Sequence, residues 1–181
     1  MQSRQRAALH GSLMMMMCDC ELETSMPESF QTRLYKWGFN IYPAYRGTGG
    51  WITYIANDWR EIHVKVPLSW QTRNYVGTIY GGSLYAAIDP FYMIMLIKNL
   101  GPDYVVWDKA ASIQFKKPGR DTLFARFSLS EEELEVIKSE LRHSAKLDRH
   151  YQVELNDSLG VKHAIVEKTI FVAKKSSERT D

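Results

Sequence analysis

Between Glu61 and Leu68 apolar side chains take every second position, Ile62, Val64, Val66 and Leu68, with Glu61, His63 and Lys65 among them. That two-residue period predicts a strand with one buried face. Residues 51–56, rich in β-branched and aromatic side chains, predict another strand, closed by the turn residues Asn57-Asp58. Residues 104–117 and 121–129 read as two further strands, with Pro118-Gly119 at hairpin spacing between them. Tyr151, Val153 and Leu155 alternate in a fifth strand, and Ala164, Val166, Ile170 and Val172 in a last one after a turn at 156–160. The helical signals are fewer. Pro27 opens a short helix over 29–37 that Gly38 ends, and Ser130 with Glu133 forms a capping box before the stripe Leu134, Ile137, Leu141. Residues 83–99 are apolar nearly all round and stop at Gly101-Pro102. A helix of that kind must be wrapped on most sides. The expected class is α+β, a curled antiparallel sheet wrapped around one long central helix.

Composition narrows this to one soluble domain. The chain has 181 residues, 45% apolar and 24% charged, with five Trp, ten Tyr and seven Phe to build a core. A net charge of +2 leaves no basic surplus for nucleic acid. A membrane span needs about 20 apolar residues in a row, and the longest apolar-rich run, 84–97, is broken by Asp89 and Pro90. The two cysteines, Cys18 and Cys20, make neither a disulfide framework nor a zinc site. Residues 1–26 are expected to be an extension, disordered or misassigned, since Met14 to Met17 point to a start further along. The domain is expected over 27–175, with a flexible tail at 176–181, in a cytoplasmic protein without metal or membrane span.

The chemistry concentrates in Asn74-Tyr75-Val76-Gly77-Thr78-Ile79-Tyr80-Gly81-Gly82, followed by Asp89 on the apolar helix. Two adjacent glycines before a helix expose N–H groups with no Cβ in the way, a place for a developing oxyanion. A carboxylate on a buried helix is costly unless paired or in use. Bland uses remain open for each: Gly81-Gly82 as a turn, and Asp89-Pro90 as a kink whose freed carbonyl a polar side chain serves.

Together these residues resemble the hotdog-fold acyl-CoA thioesterases related to the phenylacetate-pathway enzymes. Their signature is Asn, a Gly-Thr step, His-Gly-Gly and an acidic residue nine positions after that His. Asn74, Gly77-Thr78, Tyr80-Gly81-Gly82 and Asp89 fall on those spacings. Ile113-Gln114-Phe115 and Pro118-Gly119 match the strand and turn that follow, and the likeness runs over residues 51–173. It is nearest a bacterial branch with an aromatic residue for the His and Asp-Pro on the helix. The resemblance implies Asp89 as general base or nucleophile, the N–H of Gly81, with Gly82, as oxyanion donor, and Asn74 positioning the water or acyl group. Thr78 is a turn or substrate-binding residue, and Tyr80 replaces the family His, as a hydroxyl donor or a packing ring. A thiol leaves readily, with a pKa of about 8.5 in the Cys reference, so no metal or cofactor is needed and the CoA or carrier thioester is the substrate.

The resemblance also implies a homodimer or dimer of dimers, with sites between subunits. Asp108 and Ser112 would then line the partner's side of the cleft, or form an ordinary polar strand face. Lys116, Lys117 and Arg120 would meet CoA phosphates at the cleft mouth, or be solvated hairpin residues. Two other function classes stay open: a non-catalytic acyl-CoA or lipid-binding module, which Tyr80 and the face of Phe91, Tyr92, Met93 and Met95 favour, and a hydratase, which lacks a His near the helix. His63, His143, His150 and His163 have no metal-ligand spacing, Lys138 and Glu131 to Glu135 read as a solvated helix face, and no nucleotide-binding loop occurs.

Overall fold

A computed structural model describes residues 26–175. Its strands are β1 (Trp51–Ile55), β2 (Glu61–Val66), β3 (Tyr104–Phe115), β4 (Leu123–Ser128), β5 (Lys146–Asn156) and β6 (Lys162–Lys174). The helices are α1 (Phe30–Ile41), α2 (Pro43–Arg46), α3 (Gly81–Ala86), α4 (Phe91–Leu100) and α5 (Glu131–His143). All six strands join one sheet in the order β1-β2-β4-β5-β6-β3, and every pairing is antiparallel. The sheet curls around α3 and α4, whose Leu84, Phe91, Met95 and Leu96 share a core with Ile62, Val64, Phe127, Val166 and Ile170. This is the hotdog fold expected from the sequence.

The central helix is interrupted. Residues 87–90 form a turn, because Pro90 has no N–H to continue the ladder. Two side chains serve the carbonyls exposed there: the Tyr45 hydroxyl donates to Ala87 O (3.0 Å) and Lys168 Nζ to Asp89 O (2.6 Å). Burial pushes the Tyr45 phenol far up, which keeps it a donor. The turn also packs close to the chain before β1, since a Cβ on Gly50 would come within 2.5 Å of the Ala87 Cβ.

The two sheet edges differ. Along β1, the Asn40 carboxamide pairs with both Ile52 N and Ile52 O (2.8 and 2.9 Å), Lys36 Nζ donates to Thr53 O, and Glu28 accepts from Ile55 N. Polar side chains of α1, with Glu28 just ahead of it, thus occupy the positions that another strand would take. The other edge, β3, is paired only with β6 among the described residues, over most of its length.

Two sequence expectations change. The strands β3 and β4 are not a hairpin, since two strands, β5 and β6, separate them in the sheet. The connection at 116–122 instead runs past the start of α3, where Gly119 O accepts from Ile79 N (2.8 Å) and His163 O from Lys116 N (2.8 Å). Nor does Gly38 end α1. The helix runs through it to Ile41, because contacts with β1 outweigh the roughly 1 kcal/mol a mid-helix glycine costs, and Pro43 follows the end. The expectations for residues 1–25, with Cys18 and Cys20, and for 176–181 lie outside the described residues.

Candidate active site

The loop before α3 is folded by Asn74. Its Oδ1 accepts from Val76 N (3.1 Å) and Thr78 N (3.0 Å), and its Nδ2 donates to Thr78 Oγ1 (2.9 Å). Gly77 takes φ +79° inside this turn, a conformation that favours glycine. The loop is then pinned by Tyr80 N to Thr72 O (2.7 Å). Asn74 therefore has one amide hydrogen left for a ligand. Thr78 is buried, and its hydroxyl belongs to the turn.

Asn74, Thr78 and Gly81 line a cavity of about 310 Å³ together with Phe115, Lys116 and Lys117. The first amides of α3 have no partner within the helix, as at any helix start. Phe115 covers Gly81 so closely that a Cβ there would meet the ring at 2.7 Å. Tyr80 is 59% exposed and lays its ring against Gly82. Lys116 and Lys117 are both solvent-exposed at this cavity, while Arg120 is exposed beyond its lining.

Asp89 lies eight residues after Gly81, at the helix break, and outside the lining of that cavity. Its side chain is 38% exposed, so the expected burial is only partial. The carboxylate is held from one side. Lys168 Nζ lies 2.5 Å from Oδ1, and the Tyr85 hydroxyl donates to the same oxygen at 2.6 Å. Oδ2 has no hydrogen-bond partner among the described residues. Burial, then the hydrogen bond to Asp89, push the Tyr85 phenol well above its ordinary value, so it stays a donor.

Lys168 is the residue the sequence reading missed. Its side chain is 1% exposed, which for an ammonium requires charge partners. It has two, Asp89 and Asp108, whose Oδ1 lies 2.8 Å away without hydrogen-bond alignment. Burial pushes the Asp108 carboxyl above the usual range, Lys168 pulls it back, and the charge of Asp89 raises it further. The signal was present in β6: Lys168 occupies the inward phase of Ala164, Val166, Ile170 and Val172. Tyr85, one turn before Asp89, was also passed over.

Asp108 and Ser112 do not share a face. A bulge between Asp108 and Ala110 inserts Lys109, so Asp108 opposes the buried Ile170 while Ser112 opposes the exposed Glu167. One extra residue reverses the alternation. Asp108 turns toward this chain's own Lys168, and Ser112 bonds Glu167 on the outer surface (3.3 Å).

Residues 31–172 match the profile of a domain of unknown function, DUF4442. The chain belongs to the DUF4442 family. No functionally curated protein matches it. Solved structures resemble this DUF4442 chain in fold. A Pseudomonas aeruginosa protein of unknown function, described as a probable thioesterase, aligns at TM-score 0.70 and 16% identity, over 83% of this chain and 99% of its own. A Chlorobaculum tepidum protein of unknown function aligns at 0.64 and 15%, over 80% and 95%. A Haemophilus influenzae thioesterase aligns at 0.60 and 13%, over 85% and 99%. At such identities the likeness is one of fold. No helix among the described residues of the DUF4442 chain is long and apolar enough to cross a membrane.

Proposed function

We propose that the protein is a thioesterase that hydrolyses acyl-CoA, or another acyl thioester, in the cytoplasm. The observation that carries this reading is the carboxylate of Asp89, clamped through Oδ1 by Lys168 and Tyr85 with Oδ2 left open, in the turn that follows the helix beginning at Gly81. Similarity to folds described as thioesterases supports the same class.

In this reading the thioester carbonyl lies at the start of α3 and its oxygen accepts from the Gly81 amide, with that of Gly82 beside it. Asp89 Oδ2 takes a proton from water as the water oxygen bonds to the carbonyl carbon. The carbon–sulfur bond then breaks and the proton passes to the departing thiolate, giving acid and thiol. Asn74 shapes the loop that sets Gly81, and its remaining amide hydrogen is free for the acyl group. Lys116, Lys117 and Arg120 meet the phosphates of the carrier. The edge position of β3 supports a dimer or a dimer of dimers, in which a second copy pairs along that strand and closes the cleft between Gly81 and Asp89. Ser112 would face that assembly's outer surface.

The test is thiol release from short, medium, long and aromatic acyl-CoAs by the wild type and Asp89→Asn at matched folding. Turnover that falls by about 10²–10⁴ in the variant supports the reading. Turnover that is absent from the wild type or unchanged in the variant sinks it. Tyr80 at the position of the family His favours the second reading, an acyl-CoA-binding module, for which binding without turnover, indifferent to Asp89→Asn, is the expected result.

A further inference from the structure

Helix α1 is amphipathic the wrong way round. Its inward side is largely polar: Thr32 and Asn40 are buried, and Asn40 and Lys36 bond to the edge of β1. Phe30, Leu34, Trp37 and Ile41 follow at spacings of four, three and four, which sets them in one stripe along the helix. That stripe faces solvent, with exposures of 85, 64, 61 and 59%. A surface helix ordinarily buries its apolar stripe. Tyr42, just past the helix end, and Trp51, at the start of β1, are exposed as well, at 61 and 41%. Beside it Leu34, Tyr35, Gly38, Phe39 and Tyr42 line an apolar groove of about 320 Å³, open above Gly38, where a Cβ would meet nothing within 4 Å.

Cations outnumber acids around the stripe, with Glu28 just ahead of the helix as the acid in contact with it. Residues 29–57 hold Arg33, Lys36 and Arg46 and no Asp or Glu. Glu28 pairs closely with Lys36 at 2.7 Å and more loosely with the exposed Arg33 at 3.9 Å, and Arg46 is exposed at the far end of the stripe, so a positive excess remains. Two copies packed stripe to stripe about a two-fold axis would bring these cations together. An anionic lipid surface would pair with them, take up the aliphatic residues, and seat Trp37, Tyr42 and Trp51 at headgroup depth.

We propose that α1 docks the protein onto anionic membrane surfaces, lying in the interface with the Phe30–Leu34–Trp37–Ile41 stripe inserted. The proposal is independent of the thioesterase reading.

The experiment is co-sedimentation of the full chain with vesicles of phosphatidylcholine alone, and of phosphatidylcholine with phosphatidylserine, at low salt. Binding is expected to the anionic vesicles, weaker by about tenfold or more in Leu34→Gln and in Trp37→Gln, and reduced in Arg33→Ala and by added salt. Both glutamine substitutions lie on exposed positions, and far-ultraviolet circular dichroism selects the variant that keeps the fold. Failure of the wild type to sediment with either vesicle overturns the proposal, as does undiminished binding by the folded variants. A lower oligomeric state of Trp37→Gln in lipid-free solution also overturns it, and assigns the stripe to a second copy of this chain.

Discussion

Lys168 Nζ reaches Asp89 twice, at the side-chain Oδ1 (2.5 Å) and at the main-chain carbonyl (2.6 Å). One buried cation thereby orients the carboxylate and satisfies the backbone where the central helix breaks. The two tasks make Lys168 the most sensitive position near the site. In Lys168→Met, Asp89 and Asp108 face each other with no cation between them. Removing one member of a buried ion pair costs about 3–5 kcal/mol, and the partial exposure of both carboxylates sets the expected loss near the lower figure, about 3 kcal/mol. Denaturant unfolding measures it. Turnover at a temperature where the variant is folded should fall by roughly 10², and Lys168→Arg should recover part of it.

Gly81 has no room for a side chain against Phe115. In Gly81→Ala the new Cβ meets the ring at 2.7 Å unless Phe115 swings away. Phe115 is 57% exposed, so it can move. Thioester turnover is expected to fall about tenfold while stability changes by less than about 1 kcal/mol. Phe115→Ala combined with Gly81→Ala should return most of the rate, and equal losses in the single and double variants would show that the ring is not the cause.

The Tyr85 hydroxyl shares Asp89 Oδ1 with Lys168. Tyr85→Phe removes one of two clamps, at about 1.5–3 kcal/mol for a hydrogen bond to a charged group. A kcat lower by about tenfold, with KM for acyl-CoA little changed, is the expected kinetic pattern. A rise in KM alone would place Tyr85 in substrate contact instead.

Asp108 gives the fold a pH dependence of defined sign. Burial holds its carboxyl above the ordinary value, more strongly than Lys168 lowers it, so the folded state keeps this proton where the unfolded chain has lost it. Its contribution is fully present below the unfolded carboxylate value, about 3.9, and is lost as pH rises through the folded value. Denaturation midpoints measured from acid upward should show this decline in the wild type relative to Asp108→Asn. A difference between the two that stays constant with pH would count against a raised Asp108.

The sheet was legible because each strand carries its own alternation, and β2, β5 and β6 need no partner to announce themselves. The break at Pro90 was open to view as well, since a missing N–H is a property of the residue. Pairing was not legible. Nothing within residues 104–129 says that β3 will pass its sequence neighbour and join β6, because that choice depends on how the sheet closes around the helix. The side-chain phase of β3 was hidden for a similar reason: the bulge at Lys109 has no signature in the period, and it separated Asp108 from Ser112. Lys168 was different. A lysine in the inward phase of an apolar strand was visible in the sequence, and its meaning depended on knowing which acid stood opposite.

The interrupted central helix also governs when the site can come into being. Six residues of α3 are too few to hold a helix alone, and the carbonyls beyond them depend on partners 42 and 79 residues away in the chain, Tyr45 and Lys168. Tyr45 precedes the helix, but Lys168 belongs to the last strand. During synthesis the helix therefore waits for β6 to dock before Asp89 is fixed in place. Partly made chains can collapse around α4 without acquiring an oriented carboxylate, and chemical competence arrives together with completion of the sheet.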